Sequence, residues 1–118
     1  MSVLQIKVQK LTPEAFAPYG QVLDLPATQE GAVTSDRFTF WPKLTEYVCD
    51  SGRFQIGVST LYKRPFRMCD FERHYHTQEF MIPLNGDMII VFTKNKGMDK
   101  NEEPDYTQAE AFLITKPI

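Results

Sequence analysis

Asn85-Gly86, set between the apolar runs Phe80-Met81-Ile82-Pro83-Leu84 and Met88-Ile89-Ile90-Val91-Phe92, constrains this chain more than any other pair of residues in it. The favoured two-residue loop of a tight hairpin needs positive φ at both central positions, which Asn and Gly tolerate best. Folding about that turn sets Leu84 opposite Asp87, Ile82 opposite Ile89 and Phe80 opposite Val91 on one face. Pro83 opposite Met88, Met81 opposite Ile90 and Glu79 opposite Phe92 form the other. Both faces are apolar, so the hairpin is expected to be covered on both sides. Glu79 then falls among Met81, Ile90 and Phe92, a setting that desolvates a carboxylate and disfavours its charged form unless a cation or metal offsets the cost.

The stretch leading into this hairpin, Phe71-Glu72-Arg73-His74-Tyr75-His76-Thr77-Gln78-Glu79, holds both histidines of the protein. On an extended strand side chains alternate, so Glu72, His74 and His76 share one face while Arg73, Tyr75 and Thr77 take the other. Glu79 has the wrong parity to join the histidines and reaches them only if the chain bends or bulges at Thr77-Gln78.

The remaining elements are short. Residues 4–11 alternate Ile6 and Val8 against Gln5, Lys7 and Gln9, as a half-buried strand does. Thr12-Pro13-Glu14 reads as a helix start with Thr12 as cap and Pro13 in the first helical position; Ala15, Phe16 and Tyr19 face inward before Gly20 ends it. Residues 26–36 form a loop, and 37–41 a strand whose Phe38, Phe40 and Trp41, with Phe54, read as core or interface. Phe54, Ile56, Val58, Thr60 and Tyr62 make 54–63 the longest alternating segment. A charged loop spans 95–108, and 111–115 is one more apolar strand. Seven or eight strands and one small helix, with no helices between strands, predict an antiparallel all-β sandwich or barrel.

At 118 residues the chain is a single domain, 1–118. A formal charge of -2 without any basic run or stripe argues against nucleic acid, because nothing is placed to neutralise phosphates. No stretch approaches a membrane span, and the amino terminus has neither the basic region nor the apolar run of a secretory signal, so the expectation is a cytoplasmic protein with no membrane partner. Cys49 and Cys69 sit in no metal-ligand spacing and are expected to be free thiols, Cys69 buried.

Glu72-Arg73-His74, followed by Phe80-Met81-Ile82-Pro83-Leu84, resembles the signature of the ureidoglycolate lyase family, a cupin-type group. Leu11-Thr12-Pro13-Glu14-Ala15-Phe16-Ala17-Pro18-Tyr19-Gly20 is similar to the way those proteins begin, and Ala111-Phe112-Leu113 also matches. The resemblance implies a double-stranded β-helix barrel, usually dimeric, that splits ureidoglycolate into glyoxylate and urea in allantoin degradation. The chain departs from the family at Tyr75, His76 and Glu79, where Pro, a non-ionisable residue and Gln are usual. It also lacks a further segment with a Trp-His pair that closes the barrel in family members. The expected fold is thus a cupin-like barrel incomplete at its carboxy terminus, with strand edges that a homodimer or larger homo-oligomer would cover.

For a small-molecule substrate bearing a hydroxyl and a ureido nitrogen on one carbon, cleavage needs a base, an acid and a cation for the carboxylate. The resemblance places the catalytic groups among His74, Glu79 and Glu72, with His74 as base and Glu79 as acid. Arg73, Arg64, Tyr75 and Lys63 are the candidate substrate contacts, Arg73 only after local bending. His74, His76 and Glu79 also resemble the first motif of metal-dependent cupins, which would make them ligands of one divalent transition metal. A metal cupin acting on another small polar metabolite, and a non-catalytic binding protein, are the alternatives to a metal-free lyase.

Overall fold

The most buried segment of the chain is its last strand, and the fold is assembled on it. The computed structural model describes residues 3–47, 52–74, 78–96 and 103–118. Strands β1 (Val8–Lys10), β4 (Met88–Phe92) and β5 (Glu110–Ile114) form a sheet in the order β1-β5-β4. A separate hairpin pairs β2 (Val33–Thr34) with β3 (Thr39–Phe40), and the one α-helix among the described residues, α1, is Pro13–Phe16. Among the described residues the protein is therefore all-β in character, with very little helix. The pairings among them do not close a barrel, and they amount to five strands rather than seven or eight.

The central position of β5 follows from its side chains. Ala111, Phe112 and Ile114 are buried, Phe112 and Ile114 completely. Burying each of the two large ones contributes about 1.5–3 kcal/mol. Leu11, Phe16 and Val22 complete the core, and the Phe112 ring meets Phe16 edge-on at 5.4 Å between centroids. Phe16 reaches the core because α1 starts where Thr12 caps it. The Thr12 hydroxyl accepts from the Ala15 N–H at 3.1 Å and Pro13 occupies the first turn, as expected. Gly20 donates to the Phe16 carbonyl and lies against its ring: a Cβ there would stand 3.2 Å from Phe16 Cε1.

Two expectations about pairing are corrected. The hairpin about Asn85-Gly86 does not form: β4 pairs antiparallel with β5, Ile90 opposite Phe112, and neither Asn85 nor Gly86 has positive φ. Met81 instead exchanges two backbone hydrogen bonds of 3.0 Å with Ile118. Pro83 has no N–H to offer a ladder, whereas β5 offers a full set of partners beside the most deeply buried side chains. The sheet is also not wholly antiparallel, because β1 runs parallel to β5 with Val8 opposite Ala111. That register turns Val8 outward, at 40% exposure, and the half-buried side chain of β1 is Gln9.

Segment 26–36, expected to be loop, contributes β2. Its turn is built by Ser35, whose hydroxyl accepts from the Arg37 and Phe38 N–H groups. The aromatic set does not enter the core: Phe38, Phe40 and Phe54 are more than half exposed, and the Trp41 indole N–H donates to the Thr28 carbonyl. Segment 54–63 joins no sheet among the described residues. No helix among the described residues is long and apolar enough to cross a membrane.

Candidate active site

The histidine stretch is held between two anchors. At its start the Phe71 ring packs on Tyr106, 5.6 Å between centroids. At its end Met81 is bonded to Ile118, whose neighbour Pro117 accepts from the Leu23 N–H at 2.8 Å while Lys116 pairs with Asp24. Lys116 holds the Asp24 carboxyl below the usual carboxylate range, with help from the Leu25 N–H. Phe80 adds a side contact to Tyr47, which in turn meets Phe54 edge-on at 4.8 Å.

Between the anchors the chain brings His74 to two carboxylates. Its Nε2 lies 3.2 Å from Glu79 Oε2 and 3.8 Å from Glu72 Oε1. Glu72 and His74 approach each other although 71–74 forms no strand. Glu79 also reaches His74, and the bend expected at Thr77-Gln78 involves Thr77, which lies outside the described residues. The buried setting expected for Glu79 is absent, because it depended on the Asn85-Gly86 hairpin. The Glu79 side chain is 49% exposed and that of His74 40%. Glu79 is thus a solvated carboxylate beside an imidazole and not a carboxyl enclosed by Met81, Ile90 and Phe92. An imidazole within hydrogen-bond reach of a carboxylate has one nitrogen committed and the other open, the arrangement of an oriented general base.

The remaining candidates are less concentrated. Arg73 is half-buried and engaged in an interaction of its own. Lys63 and Arg64 lie in the exposed segment leading to the site, and neither is placed in an ion pair with Glu72, His74 or Glu79 among the described residues. Tyr75 and His76 fall outside those residues, as does Cys49, so the His74, His76 and Glu79 ligand set has no geometry here. Among the described residues no three His, Cys, Asp or Glu side chains are grouped to hold a metal ion. Cys69 is a free thiol but exposed, not buried.

One polar cluster escapes the sequence. Glu110, at the head of β5, accepts from the Tyr19 hydroxyl at 2.5 Å and from Gln9 Nε2 at 3.1 Å, tying together β5, the end of the α1 turn and β1. Burial first, then the hydrogen bond and charge of Glu110, push the Tyr19 hydroxyl up to about 12. The Tyr19 and Gln9 bonds in turn hold Glu110 below the usual carboxylate range. A shallow cleft of about 390 Å³ opens beside this cluster, with Lys7, Gln9, Thr107 and Glu110 among its walls. Separations of 91 and 101 residues left no local pattern by which to find it.

A model of the ureidoglycolate lyase family matches residues 3–117. The chain is 25% identical over 104 residues to a ureidoglycolate lyase of Mesorhizobium japonicum, an alignment covering 85% of this chain and 64% of that protein. It is 35% identical over 85 residues to a ureidoglycolate lyase of Burkholderia cepacia, covering 67% of this chain and 47% of the other. The chain thus spans between about half and just under two thirds of the length of the curated relatives it matches. No solved structure matches it.

Proposed function

The chain belongs to the ureidoglycolate lyase family, and on that premise we propose that it cleaves ureidoglycolate to glyoxylate and urea, with His74 carrying the proton. The observation that supports this reading is the 3.2 Å approach of His74 Nε2, a residue of the family motif, to Glu79. Glu79 holds the Nε2 proton and so leaves Nδ1 as the acceptor facing substrate. Nδ1 takes the hydroxyl proton of the substrate carbon. The freed electron pair forms the aldehyde C=O as the carbon–nitrogen bond breaks, and the same imidazolium returns the proton to the departing urea nitrogen. Glu79 and Glu72 stabilise the positive charge on the ring between the two transfers.

In this scheme Glu79, 3.2 Å from Nε2, is the orienting carboxylate and not the acid. Arg73, next to His74, and Arg64 or Lys63 are the cations for the substrate carboxylate. The double-stranded β-helix, with this motif on an inner strand, is the architecture we infer from family membership. The test is release of glyoxylate from ureidoglycolate by the purified protein and by His74→Ala. The expected result is turnover in the parent and its loss in the variant, with an unchanged circular dichroism spectrum. Parental turnover in His74→Ala would remove the assignment.

A further inference from the structure

Glu79 is connected to the core through a series of short links. Ile114 is completely buried at the end of β5, and two residues beyond it Lys116 pairs with Asp24. Asp24 in turn stands two residues beyond Val22, another member of the core. Beside this ion pair the Leu23 N–H donates to the Pro117 carbonyl at 2.8 Å. Segments 22–25 and 116–118 are thereby joined twice, once by backbone and once by charge. Ile118, which packs on the core cluster, then exchanges two backbone bonds of 3.0 Å with Met81. From Met81 back to Glu79 is about 7 Å of extended chain.

His74, the partner of Glu79, is held from a different side. It follows shortly after Phe71, whose ring rests on Tyr106 at 5.6 Å between centroids. A 3.2 Å contact between groups held at separate anchors persists only while both anchors keep their positions, because a hydrogen bond weakens steeply with distance and angle. The anchors differ in kind. Ring contacts such as Phe71 on Tyr106, or Phe80 on Tyr47, tolerate sliding. Reciprocal backbone bonds fix one register. The position of Glu79 is thus set at Ile118, and Ile118 is placed by the residues before it.

The ion pair is poorly suited to hold the whole fold. The Asp24 and Lys116 side chains are 50% and 47% exposed, and solvent screening leaves such a pair with little effect on global stability. Its effect is local, keeping 116–118 against 22–25 in the register that offers Ile118 to Met81. We propose that Asp24 and Lys116 are positioning residues for the chemistry at His74, their ion pair holding Glu79 at the imidazole through Pro117, Ile118 and Met81. The inference rests on the proposed role of His74 as proton carrier.

The test compares the full chain with Asp24→Asn and Asp24→Glu. Amide exchange follows Met81 and Ile118, nuclear Overhauser contacts follow the Glu79 side chain against the His74 ring, and glyoxylate release gives kcat and KM. In Asp24→Asn the Met81 and Ile118 amides should exchange about tenfold faster, and the Glu79–His74 contact should weaken. The expected fall in kcat is about 3- to 10-fold, with KM within about twofold of the parent. Phe112 and Ile114 amides should keep their protection, and Asp24→Glu should recover the parental values. Parental kcat and Met81 exchange in Asp24→Asn, lost protection of Phe112 and Ile114 in that variant, or no recovery in Asp24→Glu would each overturn the proposal. A parent that releases no glyoxylate would remove the reading of His74 instead, and Met81 exchange with the Glu79–His74 contact in Asp24→Asn would still decide whether the ion pair positions the carboxylate.

Discussion

Replacing Tyr19 by Phe deletes one oxygen and tests the tie between the ends of the chain. The hydroxyl donates to a carboxylate at 2.5 Å, and a hydrogen bond to a charged acceptor contributes about 1.5–3 kcal/mol. The rise of the Tyr19 pKa from 10.0 to about 12 corresponds to an upper bound of about 2.7 kcal/mol. Burial is its largest cause and survives the substitution in part, so a loss of about 2 kcal/mol is expected. For a chain of this size that lowers the urea midpoint at neutral pH by about 1 M.

The pH dependence gives a second readout with a definite sign. The folded pKa of Tyr19 lies above its unfolded value, so its contribution is whole below about pH 10 and drains away as pH rises toward about 12. Glu110 has a depressed folded pKa, so its contribution is present above the ordinary carboxylate range and is lost as pH falls through the folded value. Tyr19→Phe should abolish the alkaline limb and flatten the acid one. A double-mutant cycle with Glu110→Gln should return a coupling of about 1–2 kcal/mol. Additive effects, or a midpoint unchanged in Tyr19→Phe, would refute the reasoning.

Glu79→Gln should lower kcat for glyoxylate release by about 10- to 100-fold through loss of ring orientation. Glu72→Gln, farther from Nε2 and 82% exposed, should change it by less than about threefold, the exposed charge being screened by solvent; equal effects would contradict the geometry. Phe112→Ala removes a fully buried ring that meets Phe16, Tyr19 and Phe92, and should cost about 3–5 kcal/mol, read as loss of the cooperative thermal transition at physiological temperature. Thr12→Ala should cost about 1 kcal/mol in urea denaturation by uncapping α1, and no change would mean that packing of Phe16 alone holds the helix.

The candidate site was legible as residues but not as an environment. Glu72, His74 and Glu79 do meet, all three lying within eight positions of the sequence. The exposure of Glu79 was illegible, since it depended on whether 79–84 would pair with 87–92. That choice was made by β5, about twenty residues farther along, which bonds to β4 and leaves Met81 to Ile118.

By itself the sequence determined what short-range sterics and capping can impose: the Thr12 cap, the Pro13 start, an apolar strand at the end of the chain and a histidine–carboxylate group in a family motif. Only the tertiary structure decided which strand is central, that β1 runs parallel to it, and that Tyr19, Gln9 and Glu110 share one network. A cap compares conformations of the same few residues. A strand pairing compares the burial available at sites about a hundred residues apart, and that comparison is made only when the chain is folded.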